Sequence, residues 1–291
     1  MMPTTPRRSP LMLGLAAALS LAACEHAGKG KTEPPGETTD PVANDTAPPV
    51  EIDDSVKQEP DPPEIAQAAQ RYLMGDYPGV VELLQPIYDD LKTREQYHAS
   101  TMAAVWLTLA HGEQVFENGK EPSQWTASMA DATEDPEIDA AANLATGSYL
   151  IGDLEFDQAA ARLAKVPEQT KDPILVGLSH LMRAEALING AFNREDESLQ
   201  YPEKLDVAKA AYDAAAALAK DDDALALVYA RTHEGYAALA NYRKQRDQVC
   251  AEAVAAIQLF AAKGASKLLA VPTDLASANK CTLPPEASAT E

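Results

Sequence analysis

A short phrase that occurs twice constrains the fold of this chain more than any other feature. The letters YLMGDY at residues 72–77 return as YLIGDL at residues 149–154. A glycine suits the left-handed backbone that ends a helix, and an aspartate can cap the next helix by accepting hydrogen bonds from its free amides. We therefore predict a helix–turn–helix hairpin at each copy. The predicted turn residues are Gly75, Asp76, Gly152 and Asp153.

The segments that follow each copy carry apolar residues at helical spacing. After the second copy, Phe156, Ala159, Ala160 and Leu163 recur at i, i+3, i+4 and i+7. Sustained period-two alternation, which would predict strands, is missing from residue 64 onward. We predict an all-α domain at residues 64–270, built as a helical-hairpin solenoid of about five hairpins. The further turns are predicted at Gly119, Gly190 and Asn241.

Several residues around these turns resemble the tetratricopeptide repeat family. That family places a small residue in its first helix, a Gly-Asp/Glu-Tyr turn, and then alanines around an aromatic in its second helix. The matching residues here are Gly75, Asp76 and Tyr77, then Gly147, Phe156 and Ala159, then Leu205, Ala208, Tyr212 and Ala215. The chain departs from the family in its unequal spacing, in a missing closing proline and in an insert at 191–202. A generic helical bundle is the alternative fold.

The resemblance implies a protein-binding groove, because in such repeats the first helices of the hairpins line a concave surface. Carried over residue by residue, it implies a groove formed by Ser148, Glu185, Asn189, Tyr229, Thr232 and Tyr236. The alternative for each residue is a solvated helix face without a partner.

The N-terminus has the form of a secretion signal. Arg7 and Arg8 precede the apolar run LMLGLAAALSLAA, which is too short to span a membrane as a mature helix. The run ends in Leu21-Ala22-Ala23-Cys24, which resembles the lipobox of bacterial lipoproteins. The resemblance implies that a signal peptide at residues 1–23 is removed and that Cys24 carries acyl chains such as palmitate. An ordinary secretory signal is the alternative.

A lipid on Cys24 would place the protein in the cell envelope. The next residue is Glu25 rather than the aspartate associated with inner-membrane retention, so the periplasmic side of the outer membrane is the expected location. Residues 24–63 are acidic and rich in proline, and we predict that they form a disordered tether. Residues 271–291 are predicted to form a polar C-terminal tail.

Charge and cysteine content limit the classes of partner. The net charge of −21 makes a nucleic-acid partner unfavourable, because phosphates are repelled by an acidic surface. Cys250 and Cys281 are predicted to form a disulfide in an oxidising compartment. One buried structural thiol and one exposed free thiol is the alternative.

The sequence contains no recognisable catalytic pattern. Its five histidines are scattered, and none continues into a two-histidine zinc motif. We therefore expect no enzyme activity, no cofactor and no metal site. The predicted function is an adaptor or scaffold that binds envelope proteins. The alternative is an accessory subunit of a transporter that binds a small solute inside the repeats.

The lipid anchor gives a prediction that can be tested alone. Cys24→Ser removes the thiol that would accept the lipid, so we expect the variant to move from the membrane fraction to the soluble fraction. Fractionation followed by immunoblotting measures this shift. Continued membrane fractionation of the variant would contradict the anchor.

Overall fold

The computed structural model describes residue 52 and residues 55–283, and these residues form an all-α protein without a β-strand. The predicted signal peptide, Cys24 and most of the predicted tether lie outside the described residues. We number the helices α1 to α12 in chain order.

The helices in the first half of the chain are α1 Pro63–Leu73, α2 Tyr77–Thr93, α3 Tyr97–Gly112, α4 Lys120–Ala132, α5 Pro136–Gly152 and α6 Phe156–Leu163. Those in the second half are α7 Val166–Gln169, α8 Pro173–Asn189, α9 Pro202–Ala219, α10 Ala226–Tyr242, α11 Arg246–Ala262 and α12 Ala270–Ala278. Short 3₁₀ segments are Phe116–Gly119, Asp223–Leu225 and Ser266–Leu268.

The helices pack in two rows. In the first row each helix contacts the next, in the order α1, α3, α5, α8, α10 and α12. The second row consists of α2, α4, α6, α9 and α11, and each of these contacts the two first-row helices on either side of it in sequence. Each helix therefore packs mainly against its neighbours in the chain.

Local sequence explains where several helices begin. The side chain of Asp172 accepts hydrogen bonds from the amides of Ile174 and Leu175, and Pro173 occupies the first turn of α8. Asp135 caps α5 in the same way, and Pro136 follows it. An oxygen acceptor at the N-cap followed by proline satisfies a free amide and fixes the first helical dihedral.

The two copies of the repeated phrase turn at different positions. Gly75 is left-handed, with φ of 77°, as predicted. In the second copy the left-handed residue is Leu154, with φ of 67°, and Gly152 is still helical. A Cβ on Gly152 would lie 2.9 Å from the Phe116 ring, so this glycine allows close packing rather than a turn. The predicted turn at Gly152 and Asp153 is therefore two residues too early.

Asp76 does not act as the predicted cap. It occupies the N-cap position of α2, but its side chain makes no capping hydrogen bond. Its carboxylate instead accepts a hydrogen bond from Lys267 Nζ at 2.6 Å, near the other end of the chain. This contact with Lys267 lowers the pKa of Asp76. The Asp76 carboxylate therefore connects the turn between α1 and α2 to the segment that precedes α12.

Helix α3 ends at Gly112, and Gly119 lies in the connection to α4, at the end of the 3₁₀ segment. Phe116 in this connection packs against Tyr149 with ring centroids 5.9 Å apart. Helix α10 ends at Tyr242, and the turn that follows is near the predicted Asn241. The Tyr242 ring packs on Phe192 at 4.8 Å. The turn predicted at Gly190 follows the end of α8 as expected.

Both predicted boundaries of the helical domain need correction. The tether was predicted to reach residue 63, but residues 57–61 contact the turn between α2 and α3. Gln58 donates to the carbonyl oxygen of Glu95 at 2.9 Å and accepts from the amide of Tyr97 at 2.8 Å. The predicted polar tail from residue 271 contains α12, because Leu275 is buried against Val249 and its neighbours.

Cys250 and Cys281 lie at disulfide distance, as the sequence predicted. Their sulfur atoms are 2.01 Å apart and join α11 to the residues that follow α12. The bridge fixes the last helix onto the body of the protein.

We expect the double variant Cys250→Ser/Cys281→Ser to unfold more easily than the oxidised protein. Closing a loop between residues 31 apart stabilises a fold by about 3 to 4 kcal/mol in the chain-entropy model. Urea unfolding followed by circular dichroism, in a Cys24→Ser background, measures the difference. As a control, the oxidised and denatured parent should offer no free thiol to a blocking reagent; two reactive thiols would contradict the bridge.

Candidate functional site

The two ends of the helical domain meet and enclose its interior. Arg231 on α10 donates from Nη2 to the hydroxyl of Tyr77 on α2 at 2.7 Å. Met74, at the end of α1, packs on the cluster around Phe260 of α11. Together with the Asp76–Lys267 contact, these interactions hold the first hairpin against the last helices.

A small acidic cavity lies inside this closed arrangement. It has a volume of about 50 Å³. Its lining residues are Tyr72, Glu113, Leu178, Leu181, Met182, Glu185, Tyr212, Arg231, Glu234 and Gly235. A second cavity of about 40 Å³ shares Glu113, Met182 and Glu185 with the first and is also lined by Ser148.

Three carboxylates and one guanidinium face this space. Arg231 Nη1 lies 3.9 Å from a carboxylate oxygen of Glu113, and the guanidinium carbon lies 5.5 Å from the centre of the Tyr72 ring. The side chain of Glu113 is 25% exposed, and that of Arg231 is 18% exposed. They are enclosed by protein but border the cavity, so water-sized molecules can still contact them.

Enclosure shifts the protonation of all three glutamates. Burial raises the pKa of Glu185 to about 8, with the Glu113 carboxylate adding to the shift and Arg231 opposing it. Burial also raises the pKa of Glu234 to about 7, again against the effect of Arg231. The pKa of Glu113 is raised by burial as well, while Arg231 and the Tyr72 hydroxyl oppose that shift. The positive charge of Arg231 therefore does not offset the rise that burial causes in the pKa values of the three carboxylates.

Two polar atoms beside the cavity lack hydrogen-bond partners among the described residues. One is the hydroxyl of Tyr72, whose side chain has no exposed surface, and the other is Nε of Arg231. Native proteins satisfy most buried polar groups, and these two atoms border a space that water-sized molecules fit.

The residues predicted to form a groove do not share one surface. Glu185 lines the acidic cavity and Ser148 lines the second one. Thr232 was wrongly predicted, because it is completely buried and its hydroxyl donates to the carbonyl oxygen of Val228 at 2.9 Å. Asn189 is half-buried at the end of α8, with its amide nitrogen unpaired.

Tyr229 and Tyr236 were assigned to the wrong face of α10. The Tyr236 hydroxyl donates to Asp213 of α9 at 2.7 Å, and the Tyr229 ring packs on His233 at 4.7 Å. His233 in turn pairs with Glu252 of α11 at 2.6 Å. Tyr236 and His233 thus contact the second row of helices, and neither tyrosine lines the cavity, to which α10 contributes Arg231, Glu234 and Gly235.

Sequence reasoning missed Tyr72, Glu113, Arg231 and Glu234. The available signal was a charged residue inside an otherwise apolar helix, as with Glu185 in the segment LMRAEALIN. Such a residue in α10 would have marked the interior face, because charged side chains are rarely enclosed without a role.

Within residue 52 and residues 55–283, no group of histidine, cysteine, aspartate and glutamate side chains is arranged to hold a metal ion. No helix in the same part of the chain has both the length and the apolar character to cross a membrane. Neither family models, curated proteins nor solved structures match the chain.

The raised pKa values predict how stability depends on pH. The folded protein holds protons on Glu185 and Glu234 at pH values where the unfolded chain, with an ordinary glutamate pKa near 4.5, has lost them. Their contribution to stability is complete below pH 4.5 and is lost as the pH rises through 7 to 8. The slope is about 1.4 kcal/mol per pH unit for each proton.

We expect Glu185→Gln, which cannot ionise, to flatten this decline. Urea unfolding at pH 5, 6, 7 and 8 measures the free energy of unfolding for the variant and the parent. Glu203→Gln, at an exposed position of α9, is the matched control. The Asp61 contact raises the pKa of His98, which titrates in the same direction in all three proteins and cancels in the comparison. Equal slopes in the parent and Glu185→Gln would contradict the assignment.

Proposed function

We propose that this chain is a lipoprotein of the cell envelope, anchored through Cys24, whose helical domain is a tetratricopeptide-like solenoid that serves as a protein-binding adaptor. The lipobox-like sequence before Cys24 supports the anchor. The proposal includes no enzyme activity. The outer membrane, on its periplasmic side, is the proposed location.

The packing of the helices supports the solenoid. First-row and second-row helices alternate as the two members of successive hairpins, and α12 follows the fifth hairpin as a terminal cap. Gly147 supports the family resemblance at one crossing, because a Cβ there would lie 2.5 Å from Leu163 of the partner helix. A small residue at this point is what the family uses to bring its paired helices together.

The volume of the interior cavities indicates which surface is able to bind a partner. A cavity that binds a metabolite or a drug-sized molecule typically has roughly 300 Å³ or more. The two interior cavities have about 50 and 40 Å³. This size disfavours these two cavities as the site of a metabolite-sized solute. It also leaves no room for a peptide, so the adaptor surface we propose is on the outside.

The binding surface that we propose is the insert between α8 and α9. It is ordered: the amides of Gln200 and Tyr201 both donate to the carbonyl oxygen of Ala191, at 2.9 and 3.0 Å, and Phe192 packs on Tyr242. Yet it exposes Leu199 and Tyr201, at 46% and 41%. An ordered loop that breaks the repeat pattern and presents apolar side chains to solvent is typical of a binding element.

The charges around the insert indicate the chemistry of its partner. Glu195, Asp196 and Glu197 form its tip, and all three are exposed. A complementary protein surface would offer an apolar pocket for Leu199 and Tyr201, with lysines or arginines at its rim. The partner we propose is thus an envelope protein with a basic, partly apolar docking site.

The double variant Leu199→Ser/Tyr201→Ser tests this surface. Removing two apolar contacts near the centre of an interface costs about 1 to 3 kcal/mol, so we expect affinity for the crosslinked partner to fall roughly fivefold to 150-fold. Chemical crosslinking of the full lipoprotein in intact cells, followed by mass spectrometry, measures the captured protein.

Val115→Ser is the matched control, since Val115 is equally exposed at 51% but lies in the turn between α3 and α4. It should capture as much partner as the parent does. Capture that is unchanged in the double variant, or reduced equally in both variants, would overturn the assignment of the insert.

A further inference from the structure

The acidic cavity contains binding groups that the adaptor function does not use. Glu185 and Glu234 face it without a protein cation closer than Arg231, which is already bonded to Tyr77. The Tyr72 hydroxyl is completely buried beside Glu113, whose pKa it lowers, and it makes no hydrogen bond of normal geometry to the described residues. The cavity thus offers several acceptors and an unused hydroxyl at one place.

We propose that this interior cavity is a binding site for a small primary ammonium ion. An ammonium group donates three hydrogen bonds, and the carboxylates of Glu185 and Glu234 and the hydroxyl oxygen of Tyr72 are the acceptors that would receive them. The aromatic rings of Tyr72 and Tyr212 line the same space and attract a cation through their faces.

Several of the other residues that line the cavity are apolar, which suits a cation that carries a short alkyl group. Leu178, Leu181 and Met182 form an apolar side of the cavity, opposite in character to the glutamates. A short alkyl group would pack against them and replace poorly bonded water. Since one water needs about 10 to 15 Å³ on this measure, a space of about 50 Å³ holds roughly four water-sized groups. Methylammonium and ethylammonium meet this limit.

Protons link binding to pH. The ammonium ion favours the ionised carboxylates, whereas burial favours their protonated forms, so binding releases protons from Glu185 and Glu234. The other titratable or charged groups lining the cavity are Glu113, whose pKa burial raises; Tyr72 and Tyr212, which burial keeps neutral; and Arg231, which stays charged. Binding therefore tightens as the pH rises from 6 to 9, by up to about tenfold per pH unit for each proton released.

Methylammonium is the probe for a direct test on the full chain in detergent. Titration of methylammonium chloride should raise the thermal unfolding midpoint to a plateau, because a ligand that binds only the folded state stabilises it. Sodium chloride at the same ionic strength and tetrabutylammonium, which is too large for the cavity, should not. The half-saturation concentration should fall with rising pH.

Variants locate the effect. Glu185→Gln and Glu234→Gln should each weaken methylammonium binding at least tenfold, and the exposed-site control Glu203→Gln should bind like the parent. If a variant fails to fold, exchange of ¹³C-methylammonium with the parent protein, followed by NMR, still decides. No saturable rise and no bound ¹³C signal, or an equal rise in every variant, would overturn the proposal and leave water as the occupant. None of these outcomes affects the adaptor proposal, which rests on the outer insert.

Discussion

The arrangement of this protein depends on the contacts that the Arg231 side chain makes. Its guanidinium lies where α10 meets the first hairpin, bonded to Tyr77, near Glu113 and against the ring of Tyr72. A charge this enclosed is costly unless it is paired, and the pairing draws on residues from α1, α2 and the end of α3. The helices must therefore curve until the start and the end of the domain meet. The acidic cavity is the space that this closure leaves.

The helical class follows from the sequence because helical spacing and turn chemistry are local. Gly75 marked its turn correctly, and the apolar stripe after Phe156 gave α6. The position of the turn in the second phrase could not be read from the sequence. Gly152 allows close packing against Phe116, and the left-handed residue of the turn is Leu154. A two-residue change of register also converts Tyr229 and Thr232 into Arg231 and Glu234.

The candidate site was harder to predict than the helices because it is made by long-range contacts. Glu113, Glu185 and Glu234 come from three helices far apart in sequence, and each looks like an ordinary charge on its own helix. Only the meeting of α2 with α10 encloses them. The disulfide was predictable for the opposite reason, since the described residues contain only two cysteines, Cys250 and Cys281.

Closure also changes how such a protein comes apart. In an open stack of repeats each unit touches only its neighbours, so the end units fray while the middle stays folded. Here the first hairpin contacts the last helices through Met74, Asp76 and Tyr77, and the disulfide holds α12 in place. Neither end can loosen without breaking contacts made by the other. Contacts between the two ends of the helical domain therefore favour unfolding in one cooperative step over fraying from either end.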